Sequence, residues 1–243
     1  MKVRCKGSVR TFFYNIINPL IPVDRFLPLI FGFVLNNLIY FVTSRIQYPR
    51  LYDLTLPLDD KIPFVPEFIL IYFGCYLFWA ANYILIARQN REHAFRFFVA
   101  DVMSRLVCMV FFLLLPSTVA RPEVADNGIC SQLVRLLYTI DPSLNLFPSI
   151  HCLVSWFCYI GIRGRKNIPL WYRIFSCIVA VGVFISTVTL KQHVIVDIIS
   201  GVLLAELTYA VSKHTNFYLK YQRFFDGITH RIWPMDKEAD TNE

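Results

Sequence analysis

Charge is what this sequence has least of. Only 17% of its 243 residues are Asp, Glu, Lys or Arg, and 56% are hydrophobic, whereas a soluble domain carries about 25% charged residues. That deficit excludes a disordered chain, which needs the opposite balance, and argues against a soluble one. Cysteine pairs at zinc spacing, a phosphate-cradling glycine loop and a helical HExxH are missing as well, so zinc chemistry and nucleotide hydrolysis have no support. Repeats and low-complexity tracts are absent. The seven cysteines are odd in number and define no disulfide framework. Most fall in apolar runs, where cysteine acts as a small hydrophobe. Cys130 and Cys152 belong near one surface, either as a pair or as two free thiols.

What is present is a series of apolar runs near 20 residues, each long enough to cross a bilayer as a helix. They lie at 26–44, 67–87, 97–117, 148–162, 174–190 and 193–212. The expected fold is all-α: a polytopic membrane protein with six transmembrane helices in a single bundle. An interfacial segment over 1–24 precedes a membrane domain over 25–213, and a cytoplasmic tail covers 214–243.

The net charge of +7 follows topology rather than nucleic-acid binding. With six spans both termini share a side, and 16 of the 24 Lys and Arg residues fall there, against 6 opposite and 2 unassigned. Positive charge marks the cytoplasmic side, so both termini are expected there in an integral protein of the cell membrane. Val9, Phe12, Phe13, Ile16, Ile17 and Leu20 recur at helical spacing, which suits an uncleaved helix lying in the membrane interface or a short packed one. The aromatic and basic residues after Ser212 suit a second interfacial helix.

Two loops face outward. The 45–66 loop, with Asp53, Asp59, Asp60 and Lys61 among its prolines, reads as a solvated, stiffened connection or as a headgroup lid. The 118–147 loop holds Arg121-Pro122, a short helix around Ile129–Leu137 and a stop at Asp141-Pro142. Of five histidines, His151 and His193 alone fall on the outer side. His193 precedes Asp197 by four residues, so both share one helix face. There a carboxylate fixes one ring nitrogen and frees the other as a nucleophile. Pro148 opens a helix whose first turn, through Ser149, Ile150 and His151, offers backbone donors to an anion. Arg121 supplies a fork matched to phosphate oxygens. Asp101 and Arg105 are four apart inside a span and are expected to pair. Glu206 is about 20 Å of helix from His193, too far to share its site.

Arg121-Pro122, Pro148-Ser149-Ile150-His151 and Ser186-Thr187-x5-His193-x3-Asp197 resemble, in order and spacing, the three motifs of the type 2 phosphatidic acid phosphatase superfamily. Leu114 replaces the lysine of the first motif and Thr187 the arginine of the third. The Lys191-Gln192-His193 stretch is similar to the branch that includes inositol phosphorylceramide synthases.

The resemblance implies a lipid phosphatase or phosphotransferase working through a phosphohistidine. His193 would attack phosphorus, Asp197 would orient it and His151 would protonate the leaving oxygen. Arg121 and Ser149, with Lys191 restoring one charge, would hold the phosphate. It implies no metal and no cofactor, a lipid phosphate as substrate and membrane lipids as surroundings. Headgroup transfer from a phosphodiester lipid to a lipid hydroxyl is the expected reaction. Hydrolysis of phosphatidic acid or an isoprenoid diphosphate is the alternative. A transporter lined by Asp101, Arg105 and Asp197, or an inactive scaffold, are readings from other classes.

Overall fold

The computed structural model of the chain describes residues 9–125 and 128–234. Among the described residues its regular structure is helical, apart from a two-residue parallel pairing of β1 (Tyr52–Asp53) with β2 (Ser117–Thr118). The helices are α1 (Val9–Leu20), α2 (Val23–Thr43), α3 (Ile69–Ala87), α4 (Arg91–Leu114), α5 (Ile129–Ile140), α6 (Ile150–Ile162), α7 (Leu170–Thr189), α8 (Ile195–His214) and α9 (Phe217–Ile232).

The structure shows the expected all-α polytopic membrane fold, with α6 shorter than its apolar run. Among the described residues five helices, α2, α3, α4, α7 and α8, are long and apolar enough to cross a membrane. α6, within the sixth apolar run, has 13 residues, or about 20 Å of helix. It nevertheless runs from one end of the bundle to the other. His151 at its start faces His193, and Gly161 near its finish accepts a 2.7 Å hydrogen bond from His93 Nε2 in the first turn of α4. A short helix suffices because α6 packs among α3, α7 and α8. Leu153, Phe157, Cys158 and Ile162 are fully buried, so its ends need not reach the lipid boundary. Two glycines make this packing possible. A Cβ at Gly161 would come within 2.4 Å of Ile86 Cδ1, and one at Gly201 within 2.7 Å of the Ser149 carbonyl oxygen. Gly201 therefore lets α8 press against the start of α6.

Asp101, Arg105 and Glu206 stay apart from that junction. Arg105 and Asp101 pair at 2.7 Å, as their spacing predicts, with the Tyr83 hydroxyl donating to Asp101 at 2.9 Å. Glu206 receives Arg163 at 2.8 Å and the Trp156 indole at 2.9 Å. In α1 the apolar residues Phe12, Phe13, Ile16 and Leu20 are exposed, which fits a helix meeting lipid rather than a packed one. α9 lies against α2 and α4, with the Phe225 ring 5.5 Å from that of Phe31. Cys130 and Cys152 are both free thiols, the latter buried in α6.

Candidate active site

The loop between α7 and α8 carries His193 into a junction with the start of α6. Its backbone N–H and that of Gln192 both donate to the Thr187 carbonyl, at 3.2 and 2.9 Å, closing the chain tightly after α7. Lys191 takes a positive φ of 49° in that turn. Val194 has no side chain that can cap α8. Instead the Asp197 carboxylate reaches back one turn to accept from Val194 N at 3.1 Å, while the Asp59 carboxylate accepts from Ile195 N at 2.8 Å. Together they satisfy donors that a helix start leaves open.

Asp197 Oδ2 also lies 3.1 Å from His193 Nδ1. The carboxylate is 1% exposed, and its Oδ1 has no hydrogen-bond partner among the described residues. Nδ1 is thereby held, and Nε2 is the ring nitrogen left for chemistry. The His151 ring stands across from it, with centroids 5.9 Å apart. It rests on Tyr72 at 4.5 Å and Trp79 at 5.5 Å. The hydroxyls of Tyr72 and Tyr76 lie 3.5 Å from its Nδ1 and Nε2.

Arg121 joins through the neighbour of His193. Its guanidinium donates to Gln192 Oε1 at 2.6 Å and to the Asp141 carbonyl at 2.7 Å, and it covers the Tyr138 ring at 4.6 Å. Its Nε is buried without a hydrogen-bond partner among the described residues. Burial pulls its pKa below the usual arginine value, against the opposing charge of Asp141.

Two expected phosphate ligands have other duties here. The Ser149 hydroxyl is fully buried and accepts from Cys152 N at 3.3 Å, capping α6, while its backbone N–H donates to the Asp197 carbonyl at 3.1 Å. Pro148 thus precedes the cap instead of opening the first turn. The Lys191 ammonium donates to the carbonyls of Asp59 and Ile62, at 3.0 and 2.7 Å. An ammonium has three donors, so one remains. Of the two positions that depart from the motifs, Leu114 is 74% exposed on the bundle's outside and Thr187 is fully buried beside Cys152.

His193 stands between two cavities. One, of about 430 Å³, is lined by His151, Trp79, Tyr76, Tyr40 and Asn145 and extends along α2 to Asn36 and Asn37. The other, of about 440 Å³, opens among Arg121, Lys191, Asp53, Asp59 and Asp60. The 45–66 loop is therefore a wall of the site, tied to it by the Lys191 bonds and by Val65 N donating to the Thr189 carbonyl at 3.1 Å. The reading of this loop as a solvated connection is corrected accordingly. No group of three or more His, Cys, Asp or Glu residues suited to a metal is found among the described residues.

A family model, the PAP2 superfamily, matches residues 119–221. That stretch holds Arg121, Ser149, His151, Lys191, His193 and Asp197, and it supports the superfamily and, at the coarse level, a phosphatase or phosphotransferase. No curated protein and no solved structure matched the chain.

Sequence reasoning missed several contributors. Asp141 served only as a helix stop, yet its carboxylate receives the Tyr40 hydroxyl at 2.5 Å and lies 3.4 Å from that of Tyr72. Tyr72, Tyr76 and Trp79 are spaced three and four apart on α3, a one-face pattern that was legible as a stripe but carried no sign of what it faced.

Proposed function

We propose that the protein is an integral-membrane lipid phosphotransferase or phosphatase acting through a phosphohistidine on His193. The observation that carries this reading is the facing pair itself: a buried histidine held on Nδ1 by a carboxylate, with a second imidazole across a shared cavity. His193 Nε2 attacks phosphorus, the phosphorus–oxygen bond to the lipid breaks, and a proton from His151 goes to the departing oxygen. Water or a lipid hydroxyl then attacks the phosphohistidine, with His151 taking back the proton. Arg121 holds the phosphate oxygens, and its buried, unpartnered Nε gains a ligand in doing so. Lys191 adds its charge and its remaining N–H.

The clustering favours this over a transporter. His151, His193 and the Arg121–Gln192 pair meet at one level, whereas Asp101 and Arg105 are engaged with each other and with Tyr83. Topology follows from charge. The basic first turn of α4, the 163–166 turn and the end of α8 gather at the end of the bundle opposite His193. With that end cytoplasmic, both termini are cytoplasmic and the reaction takes place at the extracytoplasmic face.

The preferred substrate is a phosphodiester lipid, its phosphorylated headgroup passing to a lipid hydroxyl as in the inositol phosphorylceramide synthase branch. A phosphomonoester carries nearly two negative charges at neutral pH, and its transition state needs several fixed cations beside a low-dielectric phase. Arg121 is one such cation, and Lys191 is shared with two carbonyls. Water-accepting hydrolysis of phosphatidic acid or an isoprenoid diphosphate is the alternative, favoured by the acidic and basic residues that line the outer cavity, which admits water.

The test is to incubate purified protein with lipid phosphomonoesters and phosphodiesters, with and without a lipid alcohol, and to trap acid-labile phosphohistidine. Diester turnover that rises with the alcohol, and a phosphohistidine lost in His193→Ala, are expected. Hydrolysis of phosphatidic acid with no diester turnover would select the alternative.

A further inference from the structure

A second polar cavity lies at the end of the bundle opposite His193. It measures about 350 Å³, and its walls include Asn90, Glu92, His93, Arg96, Arg165 and Lys213. These come from three segments distant in sequence: the first two turns of α4 with its cap, the turn after α6 and the last turn of α8.

Arg96 donates from Nε to Glu92 at 2.8 Å and from Nη1 to the carbonyls of Ser212, Lys213 and Thr215. Glu92 is thereby neutralised, and Arg96 closes the end of α8. His93 is bound to the Gly161 carbonyl. Arg165 and Lys213 remain. Neither has an ion pair or a side-chain hydrogen bond among the described residues, and Arg165 Nε is shielded from solvent without a partner. The Lys213 ammonium lies over the Tyr209 ring, at 5.6 Å, and near the Glu206 carboxylate, which Arg163 already holds with two hydrogen bonds.

Basic residues on this side are what membrane topology calls for, and topology is satisfied equally well by charges dispersed in solvent. It does not account for two cations that line one cavity without a hydrogen-bonded side-chain partner among the described residues, one with a donor already withdrawn from water. The side chains on its walls sum to a positive charge. The start of the 24-residue helix α4 opens on the same space through Asn90, adding about half a positive charge from its dipole. A guanidinium, an ammonium and a helix start lining one cavity match an anion with several oxygens.

We propose that this cavity binds a phosphate-bearing anion, free phosphate or the headgroup of an anionic lipid. The inference does not depend on the reaction at His193.

The test follows Lys213 itself, which is exposed, in full-length protein held in phosphatidylcholine nanodiscs. Its acylation by an amine-reactive ester is measured by mass spectrometry, with Lys220 on α9, also exposed, as the internal reference. Inorganic phosphate is added at constant ionic strength in one arm, and phosphatidylglycerol replaces part of the phosphatidylcholine in the other. At about nine times its Kd the ligand should slow Lys213 acylation about tenfold. Lys220 should be unchanged, Arg165→Ala should abolish the protection and His193→Ala should keep it. Protection by phosphate assigns a free anion; protection by phosphatidylglycerol alone assigns a lipid headgroup. Absence of protection in both arms, equal protection of Lys220, full protection in Arg165→Ala or its loss in His193→Ala would each overturn the proposal.

Discussion

Replacing Asp197 by asparagine isolates one term of the proposed chemistry. Oδ2 of Asp197 accepts both from His193 Nδ1 and from Val194 N, each at 3.1 Å, while Oδ1 accepts from nothing among the described residues. An asparagine with its amide oxygen in the place of Oδ2 keeps both bonds, the start of α8 and the tautomer of His193. Only the charge is lost. Once Nε2 is bonded to phosphorus the ring is cationic, with its charge about 4 Å from the carboxylate, and at an effective dielectric of about 20 that pair attracts by about 4 kcal/mol. At about 1.4 kcal/mol per tenfold, the loss slows turnover about 10³-fold. The opposite amide orientation would also fix the wrong tautomer and carry the loss toward the roughly 10⁴-fold known for asparagine in a serine-protease triad. The assay is headgroup or phosphate release from the best lipid of the panel, with the unfolding temperature as a control that should barely move. Turnover within tenfold of the unsubstituted protein, with phosphohistidine still forming, would refute the argument that this carboxylate stabilises a charged ring.

Other perturbations separate chemistry from scaffolding. Asp59→Ala strips an acceptor from Ile195 N and Leu56 N and should cost about 1–2 kcal/mol, read as a lower unfolding temperature and faster proteolysis within 45–66. Lys191→Gln, which loses a charge and two carbonyl contacts, should raise KM about tenfold through the loss of one charged contact while changing kcat little. In His151→Ala, substrates with poor leaving groups should suffer most, because they need the proton early; equal losses across leaving groups would remove His151 from that role. An impermeant thiol reagent on intact cells should label Asn127→Cys but not Asn167→Cys, and the reverse pattern would overturn the topology.

What the sequence made legible was local. Asp101 and Arg105 are four apart on α4, so periodicity alone brings them together; His193 lies just before the cap of α8 rather than on its face, and the pair forms because Asp197 reaches back from the first turn. The stop of α5 was readable because Asp141-Pro142 acts on its own backbone. The role of Asp59 was not, since it caps α8 from 136 residues away and within its own loop looks like any solvated acid. The length of α6 was hidden for another reason. Hydropathy reports that residues avoid water, and a helix buried among other helices scores like one facing lipid. The displaced duty of Ser149 had the same origin: its motif fixes its neighbours in the chain but not the approach of α8 that Gly201 permits.

The cavity beside His151 has a direction that bears on how a lipid would arrive. Phe112, near the finish of α4, lines it together with both imidazoles, and it runs along α2 to Asn36 and Asn37. On the same helix Phe33, Val34, Leu38 and Phe41 are exposed, a surface suited to acyl chains. A lipid can thus bring its phosphate to His193 sideways from the outer leaflet, its chains following α2, without first leaving the bilayer for water.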